Sequence, residues 1–199
     1  MRIMHQFLNS EYFFPNWKVE TLFLGTFNPS CAEQLDYYYR RRLNGFWKII
    51  KHYDTENTFN FQDFNNLKRF MVNKKFGCVD VIKSVTFPEE DKNKICGQGY
   101  TDDNLFKVNN YTREYNFDSI KNYVIEQNVK NIFTTWGKRC KPLEFGILLA
   151  DLQNFCSING IRFCQLKSPS GRLYRGNNID TINNNWWTNL DPIFQGCSE

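Results

Sequence analysis

Residues 21–30 read Thr21-Leu22-Phe23-Leu24-Gly25-Thr26-Phe27-Asn28-Pro29-Ser30, and the rest of the chain is best read outward from them. A short apolar run stops at a glycine, the pattern of a buried strand. Gly25 lets the chain turn sharply where the strand ends and lets a ligand approach the backbone. Asn28, standing before Pro29, is held to extended backbone, so its amide is fixed in place. That amide accepts from water through its oxygen and donates through its nitrogen, which suits positioning a reactant without removing a proton. A plain Asn-Pro turn would read the same way.

Three further apolar runs follow, at 78–82, at 131–136 before Gly137, and at 161–166 before the Ser168-Pro169 turn signal. In the first of these Asp80 is an awkward polar member. Helical patterns fill the gaps. Phe46, Trp47, Ile49 and Ile50 form one, and Phe64, Leu67, Phe70 and Met71 the stripe of a half-buried helix. Ile120, Tyr123, Val124 and Val129 suggest a third, with Asp118 or Ser119 as N-cap. Pro142 opens a run through Leu143, Ile147, Leu148, Leu149 and Leu152. Strands alternating with helices predict an α/β fold, a parallel sheet with helices on both faces. Ligands bind such sheets at the carboxyl ends of the strands. Four segments therefore matter: 25–30, 83 onward, 137–141 and 167–175.

Composition narrows the classes. At 199 residues, 41% hydrophobic and 23% charged, one domain over 1–199 is expected, with enough core to exclude disorder as a description of the chain. No window has the roughly 18 apolar residues a membrane span needs, and the first residues lack an apolar signal core, so a cytoplasmic location is expected. Seven cysteines form no C-x-x-C pair, and several sit in apolar runs. They read as reduced core thiols rather than metal ligands, so no metal is expected. The net charge of +4 permits a polyanionic partner without demanding one.

Two more segments carry chemistry. In Tyr37-Tyr38-Tyr39-Arg40-Arg41-Arg42-Leu43-Asn44-Gly45-Phe46-Trp47, aromatics beside arginines suit a surface that stacks on bases and pairs with phosphates; a solvated basic face is the bland alternative. In Lys167-Ser168-Pro169-Ser170-Gly171-Arg172-Leu173, small residues around proline and glycine expose amides that can grip phosphates. Arg172 and Leu173 could enter a duplex as a cation or an apolar wedge.

Taken in order, these residues resemble the uracil-DNA glycosylase superfamily. Residues 22–29 are similar to its first active-site motif, with one residue more between Gly25 and Asn28 than the mismatch-specific enzymes have. Tyr37-Tyr38 with Asn44-Gly45-Phe46-Trp47 resembles the Tyr-Tyr and Asn-Arg-Phe-Trp segments of the hypoxanthine-DNA glycosylase-like branch. Gly77-Cys78-Val79-Asp80-Val81-Ile82 and Asp102-Asp103-Asn104-Leu105 resemble that branch's Gly-x-x-Asp-Val block and the acidic stretch after it. Ser168-Pro169-Ser170-Gly171 is similar to the second motif, which pinches the DNA backbone. The chain departs from the superfamily in having serine at 168 where the more active members carry histidine. The first motif lacks the acidic residue of the fastest uracil enzymes.

The resemblance implies a three-layer αβα sandwich around a four-stranded parallel sheet. It implies hydrolysis of the N-glycosidic bond of a deaminated base, uracil or hypoxanthine, in single- or double-stranded DNA, by a monomer without cofactor. Asn28 would position water, with Asn44 as alternative or partner. Gly25, Thr26, Phe27 and Tyr38 would surround the base. Arg42, Lys167, Ser168, Pro169, Ser170 and Gly171 would hold DNA, and Arg172 or Leu173 would fill the vacated space. With no lysine in either motif, water is the expected nucleophile. Two other classes are open: a noncatalytic nucleic-acid-binding module keeping Arg40, Arg41, Arg42, Lys138, Arg139 and Arg172, and a small-molecule enzyme. Against the latter, no G-x-G-x-x-G follows the first strand and no P-loop occurs.

Overall fold

The computed structural model describes residues 1–32, 34–96, 100–107, 110–136, 142–176 and 178–195. Its strands are β1 (Arg2–Met4), β2 (Thr21–Gly25), β3 (Phe76–Asp80), β4 (Ile82–Thr86), β5 (Thr112–Tyr115), β6 (Asn131–Thr134) and β7 (Arg162–Gln165). Its helices are α1 (Phe46–Ile50), α2 (Phe64–Asn73), α3 (Lys92–Ile95), α4 (Asp102–Lys107), α5 (Phe117–Gln127), α6 (Leu143–Ile158) and α7 (Asn178–Phe194).

Four strands form an all-parallel sheet in the order β3-β2-β6-β7, as expected from the alternation. Every residue of β2 is buried because it has a strand on each side and protein on each face. Phe23 points to one face, where it meets Phe46 of α1 edge-on at 5.2 Å and stacks with Trp186 of α7 at 5.8 Å. Phe76 on the same face meets Phe70 of α2 and Phe194 of α7. The opposite face receives the N-terminal segment: a Cβ on Gly77 would lie 2.4 Å from Pro15, so only glycine admits that approach. Tyr123 of α5 donates to the Pro15 carbonyl at 2.9 Å.

The run at 78–82, expected as one strand, is shared by two sheets. β3 ends at Asp80, and β4 starts at Ile82 in an antiparallel sheet of order β1-β4-β5. Val81 and Ile82 donate to Gly25 O and Thr26 O at 3.0 and 3.1 Å, while Val81 O accepts from Asn116 N at 2.8 Å. Burial never lapses across this hand-off, so hydrophobicity alone could not mark it. Residue 83 consequently lies inside a strand rather than in a strand-end loop. The α5 helix begins earlier than expected, after Asn116, and stops at Asn128 in the left-handed region, φ 55°.

Cysteine usage needs a correction. Cys31 and Cys96 form a disulfide with Cα atoms 5.1 Å apart; neither lies in the apolar runs on which the expectation of reduced core thiols rests. Cys78 and Cys156 are buried thiols, and burial pushes Cys156 up to about 11. Cys140 and Cys197 lie outside the described residues. No described helix is long and apolar enough to cross a membrane.

Candidate functional site

From β2 the chain moves to β3 on one side and later to β6 on the other, so strand order reverses about β2. Crevices open at such points, beyond the carboxyl ends of the strands. A cleft of about 880 Å³ lies there, within the roughly 300–1,000 Å³ typical of ligand pockets. Its floor is Gly25 to Asn28 after β2, Asp80 at the end of β3, and Thr135 and Trp136 after β6. Its walls come from Tyr39, residues 41–44, 100–103 and 168–172, and Arg175.

At the centre of the floor is a buried carboxylate. Asp80 Oδ2 accepts from Asn28 Nδ2 at 2.8 Å and meets His5 Nε2 at 2.9 Å. His5 Nδ1 accepts the Phe7 backbone N–H at 3.0 Å, which leaves the ring proton on Nε2, donated to Asp80. The histidine is aimed by backbone pairing on both sides: His5 N donates to Lys83 O at 2.7 Å, and Gln6 N to Asn28 O at 2.7 Å. Aromatic rings then enclose it, with Phe13 at 5.1 Å, Phe7 at 5.6 Å, Tyr38 at 5.7 Å and Phe27 at 5.8 Å. The side chains of His5 and Asp80 are 0% and 3% exposed. A buried carboxylate is costly unless donors satisfy it, and Oδ2 has two.

Tyr39 closes the other side of the floor. It holds the left-handed conformation, φ 60°, unusual for a bulky residue, and stacks on Phe46 at 4.2 Å. Thr135 gives its only hydroxyl proton to Leu24 O at 3.1 Å, so Tyr39 donates to Thr135 Oγ1 at 3.0 Å. Burial, with the Asp80 charge adding, keeps the Tyr39 phenol well above its ordinary value. A Cβ on Gly25 would lie 2.1 Å from Asp80 Oδ1 and 2.7 Å from Tyr39 Oη. Glycine is required at that position for these two groups to converge. Beyond it, Thr26 donates to Asp102 Oδ1 at 2.7 Å, and the Arg41 guanidinium lies 4.8 Å over the Tyr100 ring.

No protein-family model matches the chain, and no curated protein matches it.

Asn28, Asn44 and Ser170 fall around one cleft, together with Gly25, Thr26, Phe27, Arg42, Ser168, Pro169, Gly171 and Arg172. Phe27 is 3% exposed, so it forms floor rather than a projecting platform. Asn44 is partly committed: its Oδ1 accepts Phe46 N at 2.9 Å at the start of α1. The two motif loops brace each other. Gly45 N donates to Pro169 O at 2.7 Å, Gly171 abuts Leu43, and Gly45 abuts the Tyr174 ring. Ser170 Oγ is buried and makes no hydrogen bond among the described residues.

Three expected residues stand elsewhere. Tyr38 is fully buried and donates to Phe13 O at 3.1 Å, supporting His5 from behind. Lys167 is exposed outside the cleft lining, its backbone pinned by Asn185 and Trp186 of α7. Leu173 is half-buried against the core, whereas Leu43, 59% exposed, stands at the cleft mouth. Lys138, Arg139 and the rest of 137–141 lie outside the described residues. Sequence reasoning gave His5 no role and read Tyr39 only as one aromatic of the 37–47 segment. Asp80 had a signal, a carboxylate inside an apolar run, while His5 had none. Among the described residues no group of three or more His, Cys, Asp or Glu side chains could hold a metal ion.

Proposed function

We propose that this chain is a monofunctional DNA glycosylase-like protein that hydrolyses the N-glycosidic bond of a deaminated base, uracil or hypoxanthine, in DNA, on a uracil-DNA glycosylase-like αβα sandwich. The observation that carries the reading is the convergence of the Asn28 loop and the 168–172 loop on one cleft rimmed by Arg41, Arg42, Arg172 and Arg175. A flipped nucleotide needs such a cavity, and taking it out of the stack costs a few kcal/mol that phosphate contacts must offset. Bond cleavage passes through an oxocarbenium-like species while negative charge grows on the departing base. Asn28 is built for a positioning role. Its Nδ2 is spent on Asp80, so the amide orientation is fixed and Oδ1 is the atom left to accept from water. Leu43 replaces Leu173 as the apolar residue placed to fill the vacated stack.

A cytoplasmic location goes with this role, and the Cys31–Cys96 disulfide is then a redox-dependent feature rather than a permanent staple. The test is excision from oligonucleotides carrying uracil, hypoxanthine, xanthine or a thymine mismatch, in single- and double-stranded form. Abasic product that falls by about 10²–10⁴ in Asn28→Ala supports the reading. Salt-sensitive binding with no abasic product from any substrate replaces it with a noncatalytic nucleic-acid-binding protein.

A further inference from the structure

We propose that Asp80 is the group that receives the proton of the attacking water, and that His5 is its positioning residue. This inference rests on the base-excision reading and adds an acid-base group that the motif loop itself does not carry. The two oxygens of Asp80 are used differently. Oδ2 is held by the His5 Nε2–H and the Asn28 amide, at 2.9 and 2.8 Å. Oδ1 faces Gly25, and no donor among the described residues reaches it, while Asp80 lines the cleft. A carboxylate anchored through one oxygen, with the other turned to the cavity beside a water-positioning amide, is arranged for proton transfer. Asn28 then has two duties, fixing Asp80 through Nδ2 and orienting water through Oδ1.

In this step the water oxygen bonds to C1′ as the C1′–N bond breaks, and that electron pair leaves with the base. The water proton passes to Asp80 Oδ1 and on to solvent, and the departing base takes a proton from solvent. Asp102, the second carboxylate of this part of the cleft, accepts from Thr26 and Tyr100 through Oδ1 and stands on the wall rather than beside the Asn28 amide. The phenols and thiol around Asp80 do not compete for this task. Tyr38, Tyr39, Tyr100 and Cys78 are kept protonated, chiefly by burial. The proton on His5 Nε2 already points at Asp80, so the ring donates rather than accepts there.

The decisive variant is Asp80→Asn. Its amide oxygen still accepts from His5 and Asn28, while an NH₂ replaces the oxygen facing the cleft. Single-turnover excision should fall by about 10²–10⁴ with DNA affinity retained. In Asp80→Ala, added formate should restore part of the lost rate, a response that a purely structural carboxylate would not give. His5→Phe keeps an aromatic ring but removes the donor; a fall of about 10–100-fold is expected, the scale of a hydrogen bond to a charged group. His5→Gln, which can donate from a similar position, should recover much of that loss. If wild type excises a base and Asp80→Asn does so at a comparable rate, the proton-acceptor role is overturned while base excision stands. If wild type excises none of the substrates, the base-excision reading falls and takes this inference with it.

Discussion

Gly25 shows how much of the cleft depends on one absent side chain. A methyl group there would overlap Asp80 Oδ1 and crowd Tyr39 Oη, so the carboxylate must turn or the tyrosine must leave Thr135. Gly25→Ala is therefore expected to cut excision by about 10²-fold, the usual consequence of an ångström-scale misplacement of a reacting group. Overpacking should lower stability by about 1–3 kcal/mol. Single-turnover kinetics and a thermal melt on the same preparation check both, and a fall in stability alone would mean that Asp80 is mere packing. Single residues were legible in the sequence where local chemistry constrains them. Asn28 before Pro29 could be recognised because proline limits its backbone, and Asp80 because a carboxylate is out of place in an apolar run. His5 could not, since its partner lies 75 residues away and nothing near it announces the contact. Tyr38 and Tyr39 were indistinguishable as neighbours in a tyrosine run. The left-handed backbone at Tyr39 turns one ring to the cleft floor and its neighbour into the core.

Among elements, the strands of the parallel sheet were the most legible, because their burial shows directly as apolar runs. β1 was hidden: Arg2, Ile3 and Met4 form three residues with one buried side chain, too short for any periodicity. Its role is nonetheless large, since the segment just after it pairs with both Lys83 and Asn28 and so delivers His5 to the site. The disulfide acts at the same scale. Cys31 follows the Asn28 loop and Cys96 follows α3, a few residues before Tyr100 and Asp102 on the cleft wall. Closing a loop across 65 residues should stabilise the fold by about 4 kcal/mol in the chain-entropy account. Reduction, or Cys31→Ser with Cys96→Ser, should lower the urea midpoint accordingly and steepen the slope, because the unlinked denatured chain exposes more surface. An unchanged midpoint would show that the two segments are held by packing alone.

At the scale of the whole molecule, charge and shape have to agree on one face. The net charge of +4 is too small to mark a nucleic-acid-binding protein by itself. What matters is that Arg41, Arg42, Arg172 and Arg175 all border the same cleft. They are not equivalent. Arg41 lies over Tyr100, Arg172 is 3.5 Å from Asp103, and Arg175 donates to Gly171 O. Arg42 is exposed at the rim. A phosphate contact releases condensed counterions, so each one contributes about 0.9 to the slope of log affinity against log salt on duplex DNA. Arg42→Ala should accordingly weaken binding for every sequence alike and lower the slope by about one, while leaving the excision rate of bound substrate close to wild type. Arg172→Ala should change the slope less, because its charge is already shared with a carboxylate. Affinities measured across a salt series for wild type and both variants decide the point. A slope unchanged by either substitution would mean that DNA does not cross this rim, and the cleft would then need a small-molecule substrate instead.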